Sequence, residues 1–149
     1  MELKIKALSP KIGTSLPLPR FATDGAAAMD LCACIDAPVV IPAGARTVIP
    51  SGIAIALPSA DYVALLFSRS GMGIRSGISL SNSVGVIDSD YRGEIGVGLH
   101  NTSDADYTVN PGDRIAQLMI TPVVRPTVKL VEELPASERG AGGFGSTGR

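Results

Sequence analysis

Histidine occurs once in the 149 residues, at position 100, tryptophan is missing, and cysteine appears twice. With no second histidine and no paired cysteines nearby, His100 reads as structural and a zinc centre is excluded. Cys32 and Cys34 lie only two residues apart. That is too close for an ordinary mutual disulfide, so both read as buried thiols, and nothing calls for an oxidising compartment. An excess of one charge is also lacking. Thirteen basic residues face fourteen acidic ones, for a net charge of −1, which removes any overall attraction to nucleic acid or to an anionic membrane. No apolar run approaches the ~20 residues of a membrane helix. The alternating start Met1-Glu2-Leu3-Lys4-Ile5-Lys6 reads as a first strand rather than a signal peptide. The expectation is a soluble, cytoplasmic protein with neither nucleic acid nor membrane as partner. Also absent are the Gly-x-x-x-x-Gly-Lys phosphate loop and the Gly-x-Ser-x-Gly nucleophile elbow.

A 45% apolar content in a chain of this length suits one domain with a real core. No long window repeats apolar residues at helical period. Short β-branched or alternating runs recur instead: Leu3–Ala7, Val39–Ile41, Thr47–Ile49, Ile53–Leu57, Tyr62–Phe67, Ile78–Leu80, Val84–Ile87, Ile95–Leu99, Ala116–Ile120 and Thr127–Val131. Pro and Gly punctuate them, as at Pro42-Ala43-Gly44, Pro50-Ser51-Gly52 and Pro111-Gly112. The spacing predicts an all-β fold, a sandwich, jelly roll or barrel. One or two helical turns are expected around Ser68–Gly73.

The basic residues are unevenly placed. All four lysines (4, 6, 11 and 129) lie toward the ends, and the long middle carries only arginine, including Arg69, Arg75, Arg92 and Arg114. Arginine presents a planar fork of donors that suits phosphate oxygens, so local phosphate recognition is compatible with a slightly acidic whole. A polar cluster, Asp88-Ser89-Asp90-Tyr91-Arg92-Gly93, arrives where the run Val84–Ile87 would close a strand. A solvated hairpin turn is the plain reading. The chemical one gives a carboxylate as base, an aromatic ring against a sugar, and upstream Asn82 to read a base edge, with Gly96 allowing close backbone approach. Ser68-Arg69-Ser70-Gly71 follows a strand and offers amides, hydroxyls and a guanidinium to an anion, although it is also ordinary loop composition. Asp30 sits in an apolar run where an acid needs a partner, and Arg114 reads as paired to a carboxylate.

From Pro135 the composition changes. Residues 139–149 hold five glycines and a single large apolar residue, Phe144. Such a segment buries too little to offset its chain entropy and commonly stays disordered. Phe144 offers a ring to stack, Gly145, Ser146 and Thr147 offer amides and hydroxyls to phosphates, and Arg139 adds charge. The segment therefore reads as a lid that orders on ligand, giving a β domain over 1–134 and a linker plus lid over 135–149.

Five segments in order, Ala28–Ala33, Ser68–Gly73, Asn82–Gly93, Gly112–Leu118 and Arg139–Gly148, together resemble the motifs of the trimeric deoxyuridine triphosphatase (dUTPase) family over essentially the whole chain. Two departures are Ala28-Met29, where the family usually has Gly and a bulky residue, and Ser68, where Pro or Ala is usual. Neither removes a reacting group. The resemblance implies a jelly-roll-like distorted β-barrel and a homotrimer with shared active sites. It implies hydrolysis of dUTP to dUMP and pyrophosphate by water attack on the α-phosphorus, a reaction that limits uracil in DNA and supplies dUMP for thymidylate synthesis. By resemblance, Asp88 deprotonates the water, Tyr91 excludes a 2′-hydroxyl, and Asn82 and Gly96 pair with uracil along Val86 and Ile87. Arg69, Ser70, Gly71 and Gln117 hold phosphates. Mg²⁺ bridges phosphate oxygens, with Asp30 reaching it through water. Phe144 covers uracil, while Arg139, Gly145, Ser146 and Thr147 close on the substrate. The related dCTP deaminase would want a glutamate base, and the Asp88…Tyr91 pair with the Gly-rich tail favours dUTPase. A non-catalytic nucleotide sensor fits poorly with an intact Asp88, and a ligand-free β-trimer leaves the arginines and the tail unexplained.

Overall fold

The computed structural model describes residues 1–143. Among these residues, eleven strands and one short helix follow in the order β1 (Lys4–Ala7), β2 (Met29–Cys32), β3 (Val39–Ile41), β4 (Arg46–Pro50), β5 (Ile53–Ala56), β6 (Tyr62–Phe67), α1 (Ser70–Ser76), β7 (Ile78–Leu80), β8 (Gly85–Ile87), β9 (Gly96–Asn101), β10 (Tyr107–Val109) and β11 (Arg114–Pro122). They form four small antiparallel sheets, β1-β5, β10-β3, β2-β11-β6-β8 and β4-β9-β7. None closes on itself as a barrel; the sheets enclose one core between them.

Alternation along the strands builds that core. In β6 only Ala64 and Leu66 are buried, and in β9 Val97, Leu99 and Asn101 point inward. Each large aliphatic side chain taken fully from water contributes about 1.5–3 kcal/mol, and Leu31, Ile49, Ile53, Leu99, Ile115 and Leu118 are all sealed. The one fully buried polar side chain among the described residues, Asn101, has its partners: its Nδ2 donates to the carbonyls of Ile41 (3.0 Å) and Ala105 (2.8 Å), and its Oδ1 accepts from Ser103.

Of the strand runs read from the sequence, Val39–Ile41, Tyr62–Phe67 and Ile78–Leu80 reappear with the same ends and all the others but one with shifted ends; β11 extends the expected Ala116–Ile120 in both directions. Three expectations need correction. The Thr127–Val131 run forms no strand. Val128 and Leu130 are 92% and 97% exposed: the run pairs with none of the described sheets, so it has no ladder hydrogen bonds to hold it as a strand. The helix starts two residues later than expected and runs to Ser76, where Gly77 at φ 66° ends it in the left-handed conformation that favours glycine. Cys32 and Cys34 are half-buried rather than buried, since the strand carrying Cys32 borders the solvent-facing charged groups described below. No described helix is long and apolar enough to cross a membrane.

Candidate active site

The central strand β11 organises one cluster. Gln117 of β11 lies opposite Asp30 of β2 on one side and Phe67 of β6 on the other. The chain leaving β6 passes through Ser68 to Arg69, so Arg69 and Arg114 approach Asp30 from neighbouring strands. Arg69 Nε donates to Asp30 Oδ1 at 3.1 Å, and Arg114 Nη1 donates to Oδ2 at 3.0 Å. Arg69 also donates to the Arg114 carbonyl at 3.2 Å. Asp30, whose side chain is 15% exposed, thus meets its need for a partner twice over, and the same pairing gives Arg114 its carboxylate. Removing Asp30 would leave two guanidinium groups facing each other without compensation.

Beside this triad opens a polar cavity of about 270 Å³, lined by Arg69, Gly71, Arg75, Tyr107, Asp113 and Arg114. Burial and, next, the Asp113 carboxylate hold the Tyr107 phenol above its usual range against the opposing pull of Arg69, so it faces the cavity as a neutral O–H. The helix start is uncapped: Arg69 takes the N-cap position and makes no side-chain capping bond. The first-turn amides at Ser70 and Gly71 are therefore left for an anion.

A second cavity, of about 140 Å³, brings together Asn82, Val86, Ile87, Tyr91 and Gly96. A turn with Ser83 at φ 64° places Asn82 at its tip, held by Ser83 N–H to the Leu80 carbonyl (3.2 Å) and Val84 N–H to the Asn82 carbonyl (2.7 Å). The glycines are dictated by packing. A Cβ on Gly85 would stand 3.0 Å from Leu66 Cβ, and one on Gly96 would stand 2.8 Å from Val48 Cγ1. Tyr91 is fixed by its own hairpin: its N–H donates to the Asp88 carbonyl (3.2 Å) and its hydroxyl to the Glu94 carbonyl (3.1 Å). Arg92 turns back to donate to the carbonyls of Ser89 and Tyr91, both at 2.8 Å, and is spent on holding the turn.

Asp88 leaves the end of β8 and faces a third, larger space of about 560 Å³, with Val86 as the wall shared with the second cavity. It is exposed, and its side chain makes no ion pair or hydrogen bond among the described residues. That leaves its oxygens free to hold a water.

One chain thus gathers the expected nucleoside readers in one cavity and Arg69 and Gly71 in another, with half-buried Gln117 in the strand behind them. The two sets do not share a pocket. Arg139 reaches neither, since its described hydrogen bond is to the Gly142 carbonyl at 2.9 Å within its own turn. Phe144, Gly145, Ser146 and Thr147 lie outside the described residues. The expectation that Asp30 reaches a metal ion meets a different local fact: each of its oxygens already accepts from an arginine.

Two positioning contacts escaped the sequence reading. Glu94 Oε1 accepts from Gly52 N–H at 2.8 Å, tying the floor of the second cavity to the turn between β4 and β5. Ser68 Oγ accepts from Leu80 N–H at 2.8 Å, so this departure from the family pattern joins the strand before Arg69 to the strand before Asn82. Neither carries a sequence signal, because both bonds span positions far apart in the chain.

The dUTPase family model matches residues 14–148. The deoxyuridine 5'-triphosphate nucleotidohydrolase of Idiomarina loihiensis is 48% identical over 148 residues, covering 99% of this chain and 98% of that protein. Among solved structures, the Staphylococcus bacteriophage 80alpha dUTPase with dUpNHpp superposes with a TM-score of 0.87 at 30% identity, over 99% of both chains. A mutant dUTPase of the S. aureus phage phi11, described with a structural Mg(II) ion, gives a TM-score of 0.79 at 26% identity, over 91% of this chain and 100% of that one. With a family match across nearly its whole length and relatives close to half identical over it, this chain belongs to the dUTPase family.

Proposed function

We propose that the protein hydrolyses dUTP to dUMP and pyrophosphate, as a homotrimer whose sites are shared between subunits. The observation that carries this reading is the small cavity walled by Asn82, Tyr91 and Gly96, with the unpaired Asp88 carboxylate just across Val86. Asn82 donates to and accepts from one edge of uracil, and the backbone at Gly96 approaches it closely because no side chain intervenes. The Tyr91 ring lies against the deoxyribose and leaves no room for a 2′-hydroxyl. Asp88 takes a proton from water as the water oxygen attacks the α-phosphorus. The bond from that phosphorus to the bridging oxygen breaks, and pyrophosphate leaves. Aligning water and phosphate in this way is where most of the rate in phosphoryl transfer arises.

The chain builds no cation cage of its own: no group of three or more His, Cys, Asp or Glu is placed to hold a metal among the described residues. That fits Mg²⁺, which is commonly bound through phosphates and retained waters with one or two carboxylates. Asp30 is the carboxylate that would reach it through water. When bound, the ion offsets negative charge on the phosphates.

Two features support the trimer. The phosphate cluster and the nucleoside cavity are separate within one chain, so a complete site needs a second subunit to supply the missing half. Val124, Val128, Leu130 and Leu134 are exposed along a segment without strand or helix, an apolar surface that calls for cover. In this reading residues 1–134 form the body, and 135–149 carry Arg139, Phe144, Gly145, Ser146 and Thr147 as a lid over a neighbouring site. The test is incubation with each deoxynucleoside triphosphate and Mg²⁺. Formation of dUMP and pyrophosphate from dUTP is expected; no turnover of dUTP, or deamination of dCTP, would overturn the reading.

A further inference from the structure

A third arginine faces the phosphate cavity, and its placement assigns it work. Arg75 lies one turn after Gly71 on α1, so the two share a helix face. Its guanidinium rests in the space a side chain at position 71 would fill: a Cβ there would stand 2.8 Å from Arg75 Nη2 and 3.6 Å from Cζ. Arg75 is exposed and has no ion pair or hydrogen bond among the described residues. Its cavity neighbours are electrically spent. Arg69 and Arg114 share the single carboxylate of Asp30, and Asp113 adds a second negative charge to the same wall. Two cations against two anions leave that wall near neutral, a poor receptor for a triphosphate. Among the described residues, Arg75 is the one uncancelled charge in the cavity.

We propose that Arg75 contacts the phosphate chain directly and makes the site favour a nucleoside triphosphate over shorter nucleotides. The inference rests on the reading of this cavity as the triphosphate site. Arginine suits the task because its fork can donate to two phosphate oxygens at once, and Gly71 keeps the fork close to the backbone that meets the same phosphates. A group that binds ground state and transition state alike changes KM rather than kcat.

The test uses the full-length protein with Mg²⁺, with calorimetric titration of dUpNHpp and dUMP into the wild type and into Arg75→Gln and Arg75→Lys. Arg75→Gln should weaken dUpNHpp by about tenfold, the low end for a charge-assisted hydrogen bond at a solvent-facing position. Binding of dUMP should stay within about twofold, because Arg75 serves the outer phosphates, and Arg75→Lys should recover part of the loss. For dUTP hydrolysis, KM should rise with kcat nearly unchanged. Equal weakening of dUMP and dUpNHpp would mean that Arg75 only shapes the cavity, and unchanged dUpNHpp binding would remove it from the site; either overturns the proposal. If the wild type itself neither binds dUpNHpp nor turns over dUTP, the underlying function fails and this proposal falls with it. A competent wild type with an indifferent Arg75→Gln sinks the Arg75 role alone.

Discussion

Replacing Gly93 by alanine isolates the placement of the Tyr91 ring from every other property of the hairpin. Gly93 is not among the glycines with positive φ, so alanine meets no backbone strain there. What it does meet is the ring, since the added Cβ would stand 2.6 Å from Tyr91 Cζ and 3.1 Å from Cε2. Carbon atoms pack comfortably at about 3.5–4.0 Å, so the ring must retreat by roughly 1 Å. Retreat breaks the 3.1 Å hydrogen bond from the Tyr91 hydroxyl to the Glu94 carbonyl, a loss of about 0.5–1.5 kcal/mol. It also shifts the wall against which the sugar lies, and a misplacement of that size can cost up to about 10² in rate. Steady-state kinetics with dUTP and UTP should show kcat/KM for dUTP falling by about 10–100-fold, together with a smaller dUTP/UTP ratio. Tyr91→Phe keeps the ring and loses only the hydrogen bond, so its kcat/KM for dUTP should fall by about 2–10-fold. Tyr91 is 47% exposed, so thermal melting should move little in either variant. A Gly93→Ala protein with wild-type kcat/KM and an unchanged ratio would refute the idea that this ring's position selects the sugar.

Other outcomes follow from the same geometry. Asp88→Asn should cut turnover by roughly 10²–10⁴, the usual worth of a general base, and leave dUpNHpp binding intact; near-normal hydrolysis would remove Asp88 from the mechanism. Deleting residues 139–149 should preserve fold and assembly while abolishing most activity. Mixing that truncated chain with full-length Asp88→Ala should restore about a quarter of sites by random assembly of a closed ring, and no rescue in confirmed mixed trimers would place base and tail in one subunit. The Cys32 thiol is pushed up first by burial and then by Asp30, against the lowering effect of Arg114 and Arg69. A raised value means less thiolate at a given pH. In a Cys34→Ser background, iodoacetamide should therefore label Cys32 more slowly than glutathione at pH 8, with the gap closing as pH rises; faster labelling would contradict the burial argument.

The sequence determined the fold class, because period-two alternation in runs such as Tyr62–Phe67 and punctuation by Pro and Gly are local signals that each strand carries within itself. It also singled out the candidates: Asp88 to Tyr91, Asn82, Arg69 and Gly71 stand in compact motifs, and the structure sets these residues around cavities. What it left open were facts that depend on distant parts of the chain. The half-burial of Cys32 depends on the sheet edge it occupies. Asp30 plainly wanted a partner, yet only the pairing of β11 with β2 and β6 could deliver two arginines from positions 39 and 84 residues away. The Thr127–Val131 run has a strand's local composition, but a strand needs a pairing partner, and among the described residues it has none. Nor could spacing reveal that the cavity of Asn82 and Tyr91 and that of Arg69 and Gly71 stand apart. Their separation is decided by how the β2-β11-β6-β8 and β4-β9-β7 sheets pack, because local composition chooses the groups while long-range pairing chooses which of them meet.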